Sequence, residues 1–180
     1  MLIRHFGTLT HILSNKSGNV VPKMVSIINK SSSFREAVAE AYVRLPYTAS
    51  ASVGFSWRGK ESSAVETRSA LFSTAVTAGV LGAKRTCDLI PMCHQISLKH
   101  CAIEIQEVEP QSENEQLSLR VTCTAVADNE TTGVEMEALT GCSIAALTLY
   151  DMLKSSGKGI IIEKIRLLKK TGGKNGEWNA

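Results

Sequence analysis

The residues best equipped for chemistry fall in three stretches of the 180-residue chain. The first, Ala83-Lys84-Arg85-Thr86-Cys87-Asp88-Leu89-Ile90-Pro91-Met92-Cys93-His94, sets two adjacent cations beside a proline-constrained turn that ends in a histidine. Such a loop can hold phosphate, because lysine offers a point charge and arginine a planar fork of donors. His94 can donate to or accept from a substrate near neutral pH. Lys84-Arg85 taken alone reads more often as a solvated helix end favoured by the macrodipole. Cys93-His94 would suit zinc, but no second Cys/His cluster at ligand spacing completes a set of four, so no metal is expected. A zinc-dependent nucleotide hydrolase is the weakest reading of this stretch.

The second stretch, Thr131-Thr132-Gly133-Val134-Glu135-Met136-Glu137-Ala138-Leu139, runs into a helical pattern carrying Tyr150-Asp151-Met152-Leu153-Lys154. Glu135 and Glu137 project to one side if the chain there is extended, and diverge if it is helical. Asp151 and Lys154, three apart, share a helix face, where partial burial would move both toward acid/base use. Exposed, they would be an ordinary surface ion pair. Cys142, Ser143, Ala145, Ala146 and Thr148 are small and sit among Leu139, Ile144, Leu147 and Leu149. Most faces of this helix should therefore be buried against a sheet or another subunit. The third stretch is the tail: residues 154 to 180 hold seven Lys/Arg against two acids, an anion-binding edge.

Positioning these residues takes an alternation of helices and strands. Phe34 to Leu45 has alanines and charges at helical spacing after Ser31 to Ser33, predicting a short first helix that ends near Pro46. Thr48 to Trp57 reads as a strand turning at Arg58-Gly59-Lys60. A long helix follows over Ser63 to Ala83, with Leu71, Phe72, Ala75, Val76 and Gly79 on one stripe. Ser97 to Val108 and Leu117 to Val126 alternate with period two and predict an antiparallel hairpin. A helix over Met136 to Ser155 and a β-branched strand over Gly159 to Leu168 complete the order, and Thr171 to Gly176 reads as loop. The result is an α+β, ferredoxin-like, split β-α-β-β-α-β arrangement, with an antiparallel sheet and both helices packed on one face, plus an N-terminal arm and the short helix. Residues 1–30 form a flexible arm and 31–180 a single domain.

Composition narrows the class. With 43% hydrophobic and 21% charged residues the chain is an ordinary globular one. No apolar run approaches the length of a membrane span, and a net charge of +3 is too small to imply nucleic acid. Five cysteines without a CxxC pair predict reduced thiols and a cytoplasmic setting. The first 35 residues contain five Lys/Arg and no acid, so a mitochondrial matrix location with a transit segment is the alternative.

Three segments resemble the signature stretches of the MoaC family, the cyclic pyranopterin monophosphate synthases of molybdenum cofactor biosynthesis: residues 83 to 94, Thr132 to Lys154, and Ile165 to Gly176. Weaker similarity extends through Phe34 to Val43 back to Leu9-Thr10-His11, so the resemblance covers almost the whole chain. It implies a ferredoxin-like lyase that turns (8S)-3',8-cyclo-7,8-dihydroguanosine 5'-triphosphate into cyclic pyranopterin monophosphate and pyrophosphate without a redox cofactor. It also implies a homo-oligomer, a hexamer built from dimers with active sites at subunit interfaces, and a radical SAM GTP cyclase as the partner that makes the substrate. Carried over by position, Asp151 is the catalytic acid/base and Lys154 its cationic partner. Met92, Cys93, His94, Glu135, Met136 and Glu137 line the substrate, and Lys84 and Arg35 meet the triphosphate. The family pattern has Lys-Gly-Asp where this chain has Arg68-Ser69-Ala70, and an Asp where it has Ser26. Arginine stays protonated, so Arg68 can hold phosphate but not shuttle a proton. Lys60 is a candidate substitute, and a catalytically impaired relative that still binds nucleotide is the alternative.

Overall fold

The computed structural model describes residues 11–14, 17–52, 54, 65–110, 116–174 and 176–180. Ile12–Ser14 (β1) pairs antiparallel with Val20–Pro22 (β2) within the segment expected as an arm. The next element overturns an expectation: Ser33–Arg44 is a 12-residue strand (β3), not a helix. Its alanines obey period two rather than 3.6. Ala37, Ala39, Ala41 and Val43 are fully buried on one face, while Glu36, Glu40 and Arg44 point to the other. Pairing along both edges outweighs the helix propensity of alanine.

The expected strand at Thr48 is likewise corrected, because Tyr47–Ser52 is a helix (α1). Pro46 precedes its first turn, where a fixed φ costs nothing, and its carbonyl accepts from the amides of Ala49 and Ser50 at 3.0 Å. The remainder of that expected strand beyond Gly54, the turn at Arg58-Gly59-Lys60 and Lys60 itself lie outside the described residues. Val65–Lys84 (α2), Thr86–Leu89 (α3), His100–Val108 (β4), Ser118–Glu130 (β5), Glu135–Leu153 (α4), Ile161–Thr171 (β6) and Trp178–Asn179 (β7) follow. The expected tail loop thus begins after Thr171, and β7 closes the sheet edge against Lys169 and Lys170.

The five-stranded sheet has the order β4-β5-β3-β6-β7, antiparallel throughout. Its four long strands with α2 and α4 form the β-α-β-β-α-β arrangement, with β3 as first strand. Both helices cover one face, α4 against β3, β5 and β6 and α2 against β4 and α4. The small residues of α4 are used within the chain. A Cβ at Gly141 would come within 2.8 Å of the Cys123 sulfur, and one at Gly79 within 2.9 Å of the Gly141 carbonyl, so the helices and sheet close to backbone contact. Its outward face keeps Leu147, Tyr150 and Met152 exposed.

On the opposite face of the sheet, Glu40 is 1% exposed and gripped by Arg120 at 2.8 Å and Arg166 at 2.7 Å. Burial pushes its carboxyl up, but the hydrogen bonds and charges of the two arginines prevail and hold it below the usual range. No helix among the described residues is long and apolar enough to cross a membrane.

Candidate active site

Gly133 and Val134 lead into α4 without a side-chain cap, so the first-turn amides face carboxylates that the helix dipole favours, Glu135 and Glu137. The chain is helical here, and the two side chains diverge. Glu135 folds back over Gly133, where a Cβ would overlap its carboxylate, and accepts from Lys170 of β6 at 3.1 Å. Glu137 turns inward and is 4% exposed. Desolvation raises its carboxyl to about 7, opposed by a bond from its own amide and reinforced by the charges of Glu135 and Glu130. One carboxylate is thus neutralised by a cation and its neighbour is poised to carry a proton near neutral pH.

Across a cavity of about 350 Å³ from these two stands the turn after α3, which contributes Met92, Cys93 and His94. Cys93 anchors that turn through its amide to the Ile90 carbonyl at 3.0 Å. Burial and then the Glu137 charge push its thiol up. Met136, His11, Lys30 and Thr132 complete the wall. The six residues expected to line substrate from two distant stretches are therefore brought together.

Arg35 joins them through an adjoining cavity of about 460 Å³ that shares Lys30, Thr132, Gly133 and Glu135. Its Nε donates to the Glu130 carbonyl at 3.2 Å, and its guanidinium lies on Gly173, where a Cβ would sit 2.1 Å from Nη1. Gly172 and Gly173 both have positive φ, which side-chain-bearing residues rarely adopt. Lys170 and Lys174 line the same cavity. In the sequence Lys170 and Lys174 stand out only as part of the basic tail, and Lys30 only as one of the five Lys/Arg of the first 35 residues. Lys84, at the end of α2, borders a separate cavity of about 640 Å³ that touches the first at Ile96.

The remaining candidates lie elsewhere. Asp151 and Lys154 are bonded at 2.5 Å at the C-terminal end of α4, with side chains 69% and 61% exposed. That hydrogen bond, then the charge of Asp151, raises the Lys154 amine. Asp151 is 16 residues beyond Glu135 on one helix, about 24 Å along its axis. Arg68 is at the same far end, bonded to Glu107 of β4 at 3.1 Å, and Glu107 is paired with Leu119 at the start of β5, whereas the wall adjoins Glu130 at its finish. Within one chain, then, the acid–amine pair and Arg68 stand at the end of the domain opposite the cavity. Among the described residues no group of three or more His, Cys, Asp and Glu side chains is arranged to hold a metal.

This chain matches a family model described as "MoaC family" over residues 24–173. It is 42% identical over 171 residues to the cyclic pyranopterin monophosphate synthase of Bordetella avium, covering 95% of this chain and 94% of that protein. It is 40% identical to that of Bordetella pertussis, with 95% of each covered. The synthase of a Nostoc species is 41% identical over 177 residues, covering 97% and 94%. By the match across nearly its whole length, with parts of the three signature stretches lining two adjoining cavities, the chain belongs to the MoaC family.

Proposed function

We propose that this chain is a cyclic pyranopterin monophosphate synthase, a lyase of molybdenum cofactor biosynthesis. It converts (8S)-3',8-cyclo-7,8-dihydroguanosine 5'-triphosphate into cyclic pyranopterin monophosphate and pyrophosphate. The observation that carries this reading is the convergence of Met92-Cys93-His94 and Glu135-Met136-Glu137 on one cavity whose neighbour is rich in cations. The triphosphate belongs beside Arg35, Lys30, Lys170 and Lys174. There, charge developing on the departing pyrophosphate meets fixed cations. As the cyclic phosphate closes, a hydroxyl oxygen bonds to the α-phosphorus, the bond from that phosphorus to the bridging oxygen breaks, and the hydroxyl proton passes to a base. Glu137 and His94 can exchange protons with the ring system as it opens and re-forms.

Asp151 and Lys154 act as acid/base pair and cation on the substrate of a neighbouring copy of the chain. Their exposure and their distance from the wall support a site completed across a subunit interface, in a homo-oligomer with the dimer-based hexamer as its form. Arg68, at that same end, contributes charge to phosphate, and Lys84 adds to it from the rim. The substrate is supplied by a radical SAM GTP cyclase. The purified protein, given the cyclised dihydro-GTP, is expected to release one pyrophosphate for each pterin formed. Binding of that compound with no pyrophosphate released would overturn the reading.

A further inference from the structure

His11 immediately precedes β1 and Lys23 immediately follows β2, and together they close the hairpin at two points. The Lys23 amide donates to the His11 carbonyl at 2.9 Å, and the His11 ring Nδ1 lies 3.3 Å from the Lys23 carbonyl. A carbonyl oxygen only accepts, so Nδ1 is the donor and carries a hydrogen. In that tautomer of the neutral imidazole, Nε2 keeps a lone pair. Among the described residues the ring makes no other hydrogen bond, and His11 is exposed. It lines the cavity of about 350 Å³ together with Met92, His94, Met136 and Glu137.

The two adjoining cavities divide the substrate's chemistry between them. Arg35, Lys170 and Lys174 line the one of about 460 Å³, whereas the only lysine or arginine among the described residues of the other is Lys30, which both share. A triphosphate in the first cavity places the ring system in the second, beside Val25, Met92, Ile96 and Met136, apolar side chains suited to a flat ring. The guanine-derived ring presents N–H donors along one edge, including its exocyclic amino group, and these need acceptors. On this wall the Glu135 carboxylate is already engaged by Lys170 at 3.1 Å. The Nε2 of His11 is not engaged.

We propose, resting on the synthase reading for the identity of the ligand, that His11 is a substrate-binding residue whose Nε2 accepts a hydrogen bond from an N–H of the guanine-derived ring. The Lys23 carbonyl holds the imidazole in the tautomer and orientation that this contact requires. A ring fixed before the ligand arrives loses less rotamer freedom on binding, so the clasp strengthens the contact. The β1–β2 hairpin, which lies in the segment expected as a flexible arm, thereby supplies one wall of the site.

The test measures the Kd of the cyclised dihydro-GTP by calorimetry, on the full chain carrying Asp151→Asn so that turnover is too slow to consume the ligand. Adding His11→Leu should raise that Kd by about tenfold, the effect of one good hydrogen bond. Glutamine can place an amide oxygen near the position of Nε2, and asparagine an amide N–H near that of Nδ1. His11→Gln should therefore bind within about threefold of the unsubstituted site. His11→Asn, which keeps the bond to Lys23 and loses the acceptor, should bind as weakly as His11→Leu. A Kd unaltered by His11→Leu would overturn the proposal, and so would rescue by asparagine instead of glutamine, which would assign the ring to the hairpin clasp alone. Pyrophosphate release is followed separately in the wild type. Should it bind the ligand without releasing pyrophosphate, the synthase reading fails, while the same His11 comparison still decides this role.

Discussion

At its N-terminal end α4 offers two carboxylates to a walled cavity, one clamped by Lys170 and one buried with its proton held to about pH 7. At its C-terminal end the same helix carries an acid and an amine that are bonded to each other and more than half exposed. The first end is a finished surface: its charges are placed by β6, by the Gly172-Gly173 turn and by the turn after α3. The second is unfinished within one chain. Burial perturbs Glu137 within its own fold, whereas the Lys154 amine is raised without burial, by its hydrogen bond to Asp151 and that carboxylate's charge. On the proposed reading the two ends of one helix serve two half-sites.

The largest effect should come from the open end. Asp151→Asn should lower turnover by about 10²–10⁴-fold, the usual worth of a positioned acid/base, with the melting temperature unchanged because the side chain is exposed. A variant that turns over normally would remove Asp151 from the chemistry.

The closed end should respond in stability. Glu137 has a folded-state value of about 7 against 4.5 for a solvated glutamate. Between those values the folded chain binds more protons than the unfolded one, so stability falls as pH rises through the window. Glu137→Gln should remove that loss, gaining up to about 3 kcal/mol at pH 8. Parallel pH profiles of urea unfolding for the two proteins would show that Glu137 titrates normally.

The smallest effect concerns Arg68. If its task is charge toward phosphate, Arg68→Lys should change the rate by less than about tenfold, or 1.4 kcal/mol of barrier. A hundredfold gain would mark the natural chain as impaired.

Much of this was legible in the sequence, for physical reasons that differ by element. The hairpin of β4 and β5, α2 and α4 followed from periodicity because each has one buried face, and β6 from its run of β-branched residues. At β3 the alternation was present in Ala37, Ala39 and Ala41, but residues with good helix propensity masked it, and only the strands on either side make the extended form pay. Two-residue β7 is too short to carry a pattern. At the site, residue types identified Met92 to His94 and Glu135 to Glu137 through family resemblance. The pairing of Glu135 with Lys170, 35 residues away, depends on strand order and could not be read from spacing.

On the proposed reading, one active site takes its wall from one chain and its acid–amine pair from another. Mixing Glu137→Gln and Asp151→Asn proteins, each crippled alone, under conditions that let subunits exchange tests it directly. A shared site predicts recovery to about one quarter of wild-type turnover, since half the walls and half the acids are intact and they assort independently. Turnover no higher than the mean of the two separate variants would contradict it.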